Sequence, residues 1–281
     1  MTLIVLIVGG MFAHNLIDFL QKSQRRFALR RGLVAEEHFS ATQYLRMSLN
    51  ERIQHATLAL SFITLVITGF MLKFPDAWWV VPIREWNERV FSVRGLVHRV
   101  AGVVLIGVSI YHLYYIFFVA RGKQLIRDLM PKLLDVREFW GTAKHYLRLS
   151  DSRPKFGRFA YIEKAEYWAL IWGVIVMGGT GIVLWFNNYF IGKFTLLGWD
   201  IAQSIHYYEA WLATLAILVW HLYFVIFNPS VYPLNTACIT GTLTEEEMAE
   251  EHPRELEQIL SQGMEEALPQ EEAEPAGPRT A

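Results

Sequence analysis

The feature that most restricts this chain is a set of five long stretches that are apolar on every side. They cover residues 3–20, 53–72, 96–120, 167–186 and 205–227. Each is close to the ~20 residues a helix needs to cross a hydrocarbon core of ~30 Å. A membrane β-strand would alternate apolar and polar positions, and these runs do not. The pattern predicts an all-α integral membrane protein with five transmembrane helices. Composition agrees, since 53% hydrophobic residues is too apolar for an ordinary soluble chain of 281 residues. The single cysteine, Cys238, excludes an intrachain disulfide, a CxxCH haem attachment and an all-cysteine iron–sulfur cluster. Any redox cofactor is therefore held non-covalently by other ligands.

The loops set an orientation. Residues 21–52 carry seven Lys or Arg and residues 119–164 carry eleven, against four in 73–95 and one in 187–202. Positive loops stay in the cytoplasm, which puts the N-terminus outside and the C-terminus inside. The first stretch lacks a basic segment ahead of it and an A-x-A-like cleavage site, so it reads as a retained helix rather than a signal peptide. Trp78, Trp79 and Trp86 in the outer loop suit a segment lying at the outer interface. Residues 125–149 read as amphipathic helices on the inner surface.

The chain divides into an extra N-terminal helix with a basic linker (1–52), a core of four helices (53–228) and an acidic cytoplasmic tail (229–281). Twelve of the 27 acidic residues follow Gly241. That tail predicts one short helix near 254–262 and disorder beyond Gly263. It is either a dispensable solvated end or a clamp on the basic inner loops. No internal repeat is evident.

Six of nine histidines lie in or beside the apolar stretches: His14, His55, His98, His112, His206 and His221. One such histidine is as often a packed ring bonded to a carbonyl as a functional group, but six together point to function. His98 and His112 are 14 residues apart, and His206 and His221 are 15 apart. At 1.5 Å and 100° per residue, each pair shares a helix face at depths about 21 and 22.5 Å apart. His98 and His206 fall at the outer level; His112 and His221 fall at the inner one. His55 opens a helix of opposite direction and joins the inner level. Facing imidazoles at two depths suit two haems, each bound from both sides. A zinc site would need three or four ligands converging on one point, which that separation forbids along either helix.

Several stretches resemble the membrane cytochrome b subunits of respiratory formate dehydrogenase and nickel–iron hydrogenase, and their relatives paired with multihaem cytochromes c. They are Asn50-Glu-Arg-Ile-Gln-His55 leading to Thr68-Gly69; Arg94-Gly-Leu-Val-His98-Arg-Val-Ala-Gly102; Glu163-Lys-Ala-Glu-Tyr-Trp168 leading to Thr180-Gly181; and Ile205-His206 through His221-Leu-Tyr. Glu251-His252-Pro253 resembles a short motif that closes many of these subunits. The resemblance implies that the last four helices form a haem-binding four-helix bundle. It makes His98 and His206 the ligands of an outer haem b iron, and His55 and His221 those of an inner one. It also implies a quinone or quinol substrate and an extracytoplasmic iron–sulfur or multihaem cytochrome c partner.

The expected home is a bacterial or archaeal inner membrane, with lipid around the helices and no nucleic acid involved. Two features depart from the pattern. The first helix is additional, and His112 has no counterpart. His112 is a packed or quinone-contacting residue, or an alternative ligand paired with His221 as in the bc complexes, or it shares a third haem with His14. The relatives' quinone pocket uses an Asn and a Gly where this chain has Ala160 and Ile162. Glu163, Glu166 and Tyr167 are nearby candidates for proton carriage, and Glu209 is an unusual carboxylate one turn from His206. The expected function is an electron-transfer subunit linking the quinone pool to a redox protein outside. A self-contained ferric or metal reductase is the alternative.

Overall fold

A computed structural model describes residues 1–33 and 39–262. In chain order the elements are α1 (Thr2–Arg30), β1 (Gln43–Leu45), α2 (Leu49–Lys73), α3 (Val81–Trp86), α4 (Glu88–Ser92), α5 (Arg94–Phe118), α6 (Ala120–Leu129) and α7 (Leu133–Tyr146). There follow α8 (Tyr161–Trp185) and α9 (Asn187–Ala216), which continues through π-helical turns at Ile217–His221 and Tyr223–Phe227. The chain closes with α10 (Ala237–Thr240), β2 (Thr242–Thr244), α11 (Glu245–Glu251) and α12 (Pro253–Gln262).

Among the described residues, five helices are long and apolar enough to cross a bilayer: Thr2–Arg30, Leu49–Lys73, Arg94–Phe118, Tyr161–Trp185 and Thr195–Phe227. The protein is an all-α integral membrane protein, as the apolar runs predict. Large side chains such as Leu60, Phe117 and Trp172 are left facing outward, a surface suited to lipid. Several helices outrun their apolar runs; α1 reaches Arg30 and α8 starts at Tyr161. Hydropathy registers the hydrocarbon-embedded part, whereas a helix can continue through the headgroup layer where its charges are hydrated. Thr195, at φ 64°, breaks α9 and separates its first turns from the fifth span.

The spans pack as two pairs. Helix α2 lies along α5 and α8 along α9, and α5 touches α8. Helix α2 is started by Ser48, whose hydroxyl accepts from the Glu51 amide while the Glu51 carboxylate accepts from the Ser48 amide. The added helix α1 packs on the C-terminal part of the fifth span, against its π-helical turn. It is fixed there by polar residues inside an apolar run. Asn15 donates to the Val219 carbonyl over 2.5 Å, and the buried Asp18 accepts from the Tyr146 and Tyr223 hydroxyls, each at 2.7 Å.

The tail folds back on the bundle instead of trailing away. Strand β2 pairs antiparallel with β1, Tyr44 opposite Leu243. Tyr44, Ala237, Leu243, Met248 and Leu256 form a small core beneath the bundle. Glu251 pairs with Lys22 (2.8 Å), Glu255 with Arg46 (3.2 Å) and Arg254 with Glu138 (2.9 Å). Of the two readings of the tail, the clamp is the one observed up to Gln262, and α12 spans the predicted short helix. The expectation for later residues lies outside the described residues. The two short strands are an addition to the predicted picture, because three-residue runs carry no period long enough to detect.

Candidate functional site

His98 on α5 and His206 on α9 face one another with ring centres 6.4 Å apart. His55 on α2 and His221 at the end of the first π-helical turn do the same at 6.3 Å. Two imidazoles sharing one metal, each metal–nitrogen bond about 2 Å, hold their ring centres roughly 6 Å apart. Both pairs meet that spacing.

The hydrogen bonds choose the tautomers of the His98–His206 pair. Thr68 Oγ1 donates to the Thr64 carbonyl (2.6 Å), so towards His98 Nδ1, 3.0 Å away, it acts as acceptor. Thr180 Oγ1 likewise donates to the Val176 carbonyl (2.7 Å) and accepts from His206 Nδ1 (2.9 Å). Each Nδ1 thus carries the proton and each Nε2 keeps its lone pair for a metal. Beside each threonine is a glycine against the ring. A Cβ on Gly69 would lie 3.2 Å from His98 Cε1, and one on Gly181 would lie 3.5 Å from His206 Cε1. The Thr-Gly of α2 serves the histidine of α5, and the Thr-Gly of α8 serves that of α9. Both dipeptides stand in the stretches that carry the family resemblance, but the sequence alone assigns the threonines no role; the signal for it is the Thr-Gly recurring in two spans.

In the His55–His221 pair, His221 Nδ1 lies 3.3 Å from Glu166 Oε2, again leaving Nε2 free. Glu166 Oε1 is buried with no protein partner. His112 meets neither His221 nor His14 in a ring pair. Its Nδ1 donates to Gln54 Oε1 (2.8 Å) and its Nε2 accepts from the Tyr167 hydroxyl (3.0 Å). His14 packs on Trp220, with Nε2 3.0 Å from the Tyr161 hydroxyl and Nδ1 3.3 Å from Asn15 Oδ1. Glu163 accepts from Arg46 (2.8 Å) and from the Ala160 amide (2.8 Å), a structural role at the start of α8. No three His, Cys, Asp or Glu side chains converge as a metal site among the described residues.

Residues 46–236 match the family described as prokaryotic cytochrome b561. The chain belongs to that family. The matched region takes in all four core helices and leaves α1 and the tail from α10 onward outside. As a prokaryotic cytochrome b561, the protein is a membrane cytochrome of electron transport, and its cofactor is haem b. It is also similar to a Haemophilus influenzae protein named formate dehydrogenase, cytochrome b556 subunit. The two are 22% identical over 236 residues, which is 84% of this chain and 92% of that relative. The donor set fits the cofactor: two opposed pairs of imidazoles, three of the four rings held by protein groups at Nδ1, and small residues where the outer rings approach the neighbouring helices.

Proposed function

We propose that this cytochrome b561 carries electrons across a prokaryotic inner membrane between the quinone pool and an extracytoplasmic redox subunit, through two b haems. His98 and His206 would hold the outer haem iron, and His55 and His221 the inner one. The observation that carries the reading is the presence of two opposed histidine pairs at the two levels of one bundle. A haem bound by two imidazoles supplies one-electron transfer with no open coordination position.

The protein's part is to fix the imidazoles. Thr68, Thr180 and Glu166 hold three of the four rings in the ligating tautomer and orientation. Two haems are favoured over three because both nitrogens of His112 and of His14 are engaged by protein groups. The unpartnered Glu166 Oε1 gives a quinol hydroxyl at the inner level an acceptor. The charge asymmetry of the loops supports an outer N-terminus and an inner C-terminus. The relative named as a formate dehydrogenase subunit supports a complex with other redox subunits, an iron–sulfur or multihaem protein outside.

The test is haem content and the reduced-minus-oxidised spectrum of the purified protein and its histidine variants. His98→Ala and His206→Ala should each remove the same haem, and His55→Ala and His221→Ala the other. Two haems surviving in His55→Ala, with one lost in His112→Ala, would replace the inner pairing.

A further inference from the structure

Glu209 is left over from the electron-transfer site. It lies in the fifth span, four residues or about 6 Å by helical rise inside the apolar run that begins at residue 205. It is half-buried, and no hydrogen-bond or ion-pair partner faces it among the described residues. Its carboxylate lies against Gly173 of α8, with Oε1 3.7 Å from where a Cβ would stand. An isolated carboxylate at that depth is expensive and marks a functional position by default.

The nearest cation on a surrounding element is Lys73 at the end of α2, whose Nζ lies 4.8 Å from the centre of the Tyr207 ring and makes no ion pair with Glu209. Helix α8 has no ionisable residue from Trp168 to Trp185, α2 has none between His55 and Lys73, and α5 has none between Arg99 and Tyr111. On α1 the ionisable side chains begin at His14, which packs against Trp220, well inward of Glu209. On its own helix the near groups are His206, Tyr207 and Tyr208. His206 and Glu209 are three residues apart, so their Cβ atoms are roughly 5–6 Å apart on one face. The Lys73 charge is constant and engaged on Tyr207, so the changing charge that Glu209 can answer is the one at the His98–His206 pair.

We propose that Glu209 is a redox-linked proton site, resting on the reading that His98 and His206 hold a haem. Glu209 stays ionised while the outer centre is oxidised and carries its extra positive charge. When one electron arrives from the redox chain, Glu209 takes up one proton from water, its carboxylate becoming a carboxylic acid. The charge of the site is unchanged, and the proton leaves when the electron does. No bond at the metal forms or breaks.

The experiment is a spectroelectrochemical titration of the haem-loaded protein across pH for the parent, Glu209→Gln and Glu209→Asp, with His206→Ala identifying the outer-level potential. In the parent that potential should fall as pH rises, towards the limit of a tenfold change in equilibrium per pH unit, about 59 mV for a one-electron couple. Glu209→Gln should flatten the dependence at the parent's acid-side value, because the anion that favours the oxidised centre is gone. Glu209→Asp should keep a slope. A flat parent titration, or equal slopes in the parent and Glu209→Gln, overturns the proposal. If Glu209→Gln does not accumulate, infrared difference spectra of the parent and Glu209→Asp decide. A protonated-carboxyl band that appears on reduction and shifts in Glu209→Asp supports the proposal, and its absence overturns it. Both haems surviving in His206→Ala overturns the haem assignment instead, and is a separate result.

Discussion

Thr68 and Thr180 do more for this site than their size suggests. Each hydroxyl has its proton committed to a carbonyl one turn back, so it can only accept from the imidazole in front of it. Valine keeps the shape and removes the acceptor. Loss of such an orienting partner costs a metal site about 10–100-fold in affinity. Thr180→Val should accordingly lower haem retention at the outer level and spare the inner one, measured as the haem-to-protein ratio after a haem-scavenger challenge. Unchanged retention would mean that packing alone orients His206. A different geometry governs Gly122, where α5 turns into α6. A Cβ there would stand 2.1 Å from the Tyr115 carbonyl oxygen. Gly122→Ala has no flexible neighbour to displace, so it should reduce the amount of folded protein in membranes. Normal accumulation of Gly122→Ala would show that the corner can rearrange.

At the scale of elements, α1 is held by side chains as well as by lipid. Asp18 is buried among Tyr146, Tyr223 and Lys22, and removing one member of a buried charged network costs about 3–5 kcal/mol. Asp18→Ala should lower the thermal stability of the haem-loaded protein, and an unchanged melting temperature would mean that α1 is an independent helix. The tail responds to acid. Burial lowers the His252 ring from 6.5 to about 4, while its Nδ1 donates to the Gly157 carbonyl over 3.0 Å. Burial works to raise the Glu251 carboxyl, but Lys22 and Arg153 outweigh it and hold it below the usual range. For His252 the unfolded state binds more protons between those values, so stability rises with pH there. Its contribution is full above about 6.5 and is lost as pH falls through about 4. Glu255, pushed up mainly by burial, works in the opposite sense, so the comparison with His252→Gln isolates the histidine. Proteolysis of segment 237–262 should accelerate from pH 7 to pH 4.5 in the parent and less in His252→Gln; equal acceleration would remove His252 from the account.

Across the whole molecule, the spans and the facing of the histidines were legible because both follow from the helical period. Fourteen or fifteen residues return a side chain to nearly the same face, and the rule needs no knowledge of neighbours. Pairing was less legible: nothing in the chain's spacing selects His55 over His112 as the ring opposite His221. Gln54 and Tyr167 settle the observed geometry by engaging both nitrogens of His112, and those contacts exist only once α2, α5 and α8 are packed. The anchor of α1 was half legible, since Asn15 and Asp18 follow His14 inside an apolar run.

The clamp was foreshadowed by charge alone. Its geometry depends on contacts between residues about 200 positions apart, such as Tyr44 with Leu243 and Arg46 with Glu255. Truncation tests what this long-range closure is for. A chain ending at Gly241 loses β2, α11 and α12, and with them Glu251 beside Lys22, Arg254 beside Glu138 and the strand paired with β1. It leaves Glu138 buried without Arg254, and exposes Tyr44 from the small inner core. A chain ending at Gln262 keeps every one of these contacts. Recovery of haem-loaded protein from membranes should be near the parent's for the longer chain and fall several-fold for the shorter one. Equal recovery would mean that the bundle closes without its clamp. A collapse of the longer chain would place an essential contact beyond residue 262.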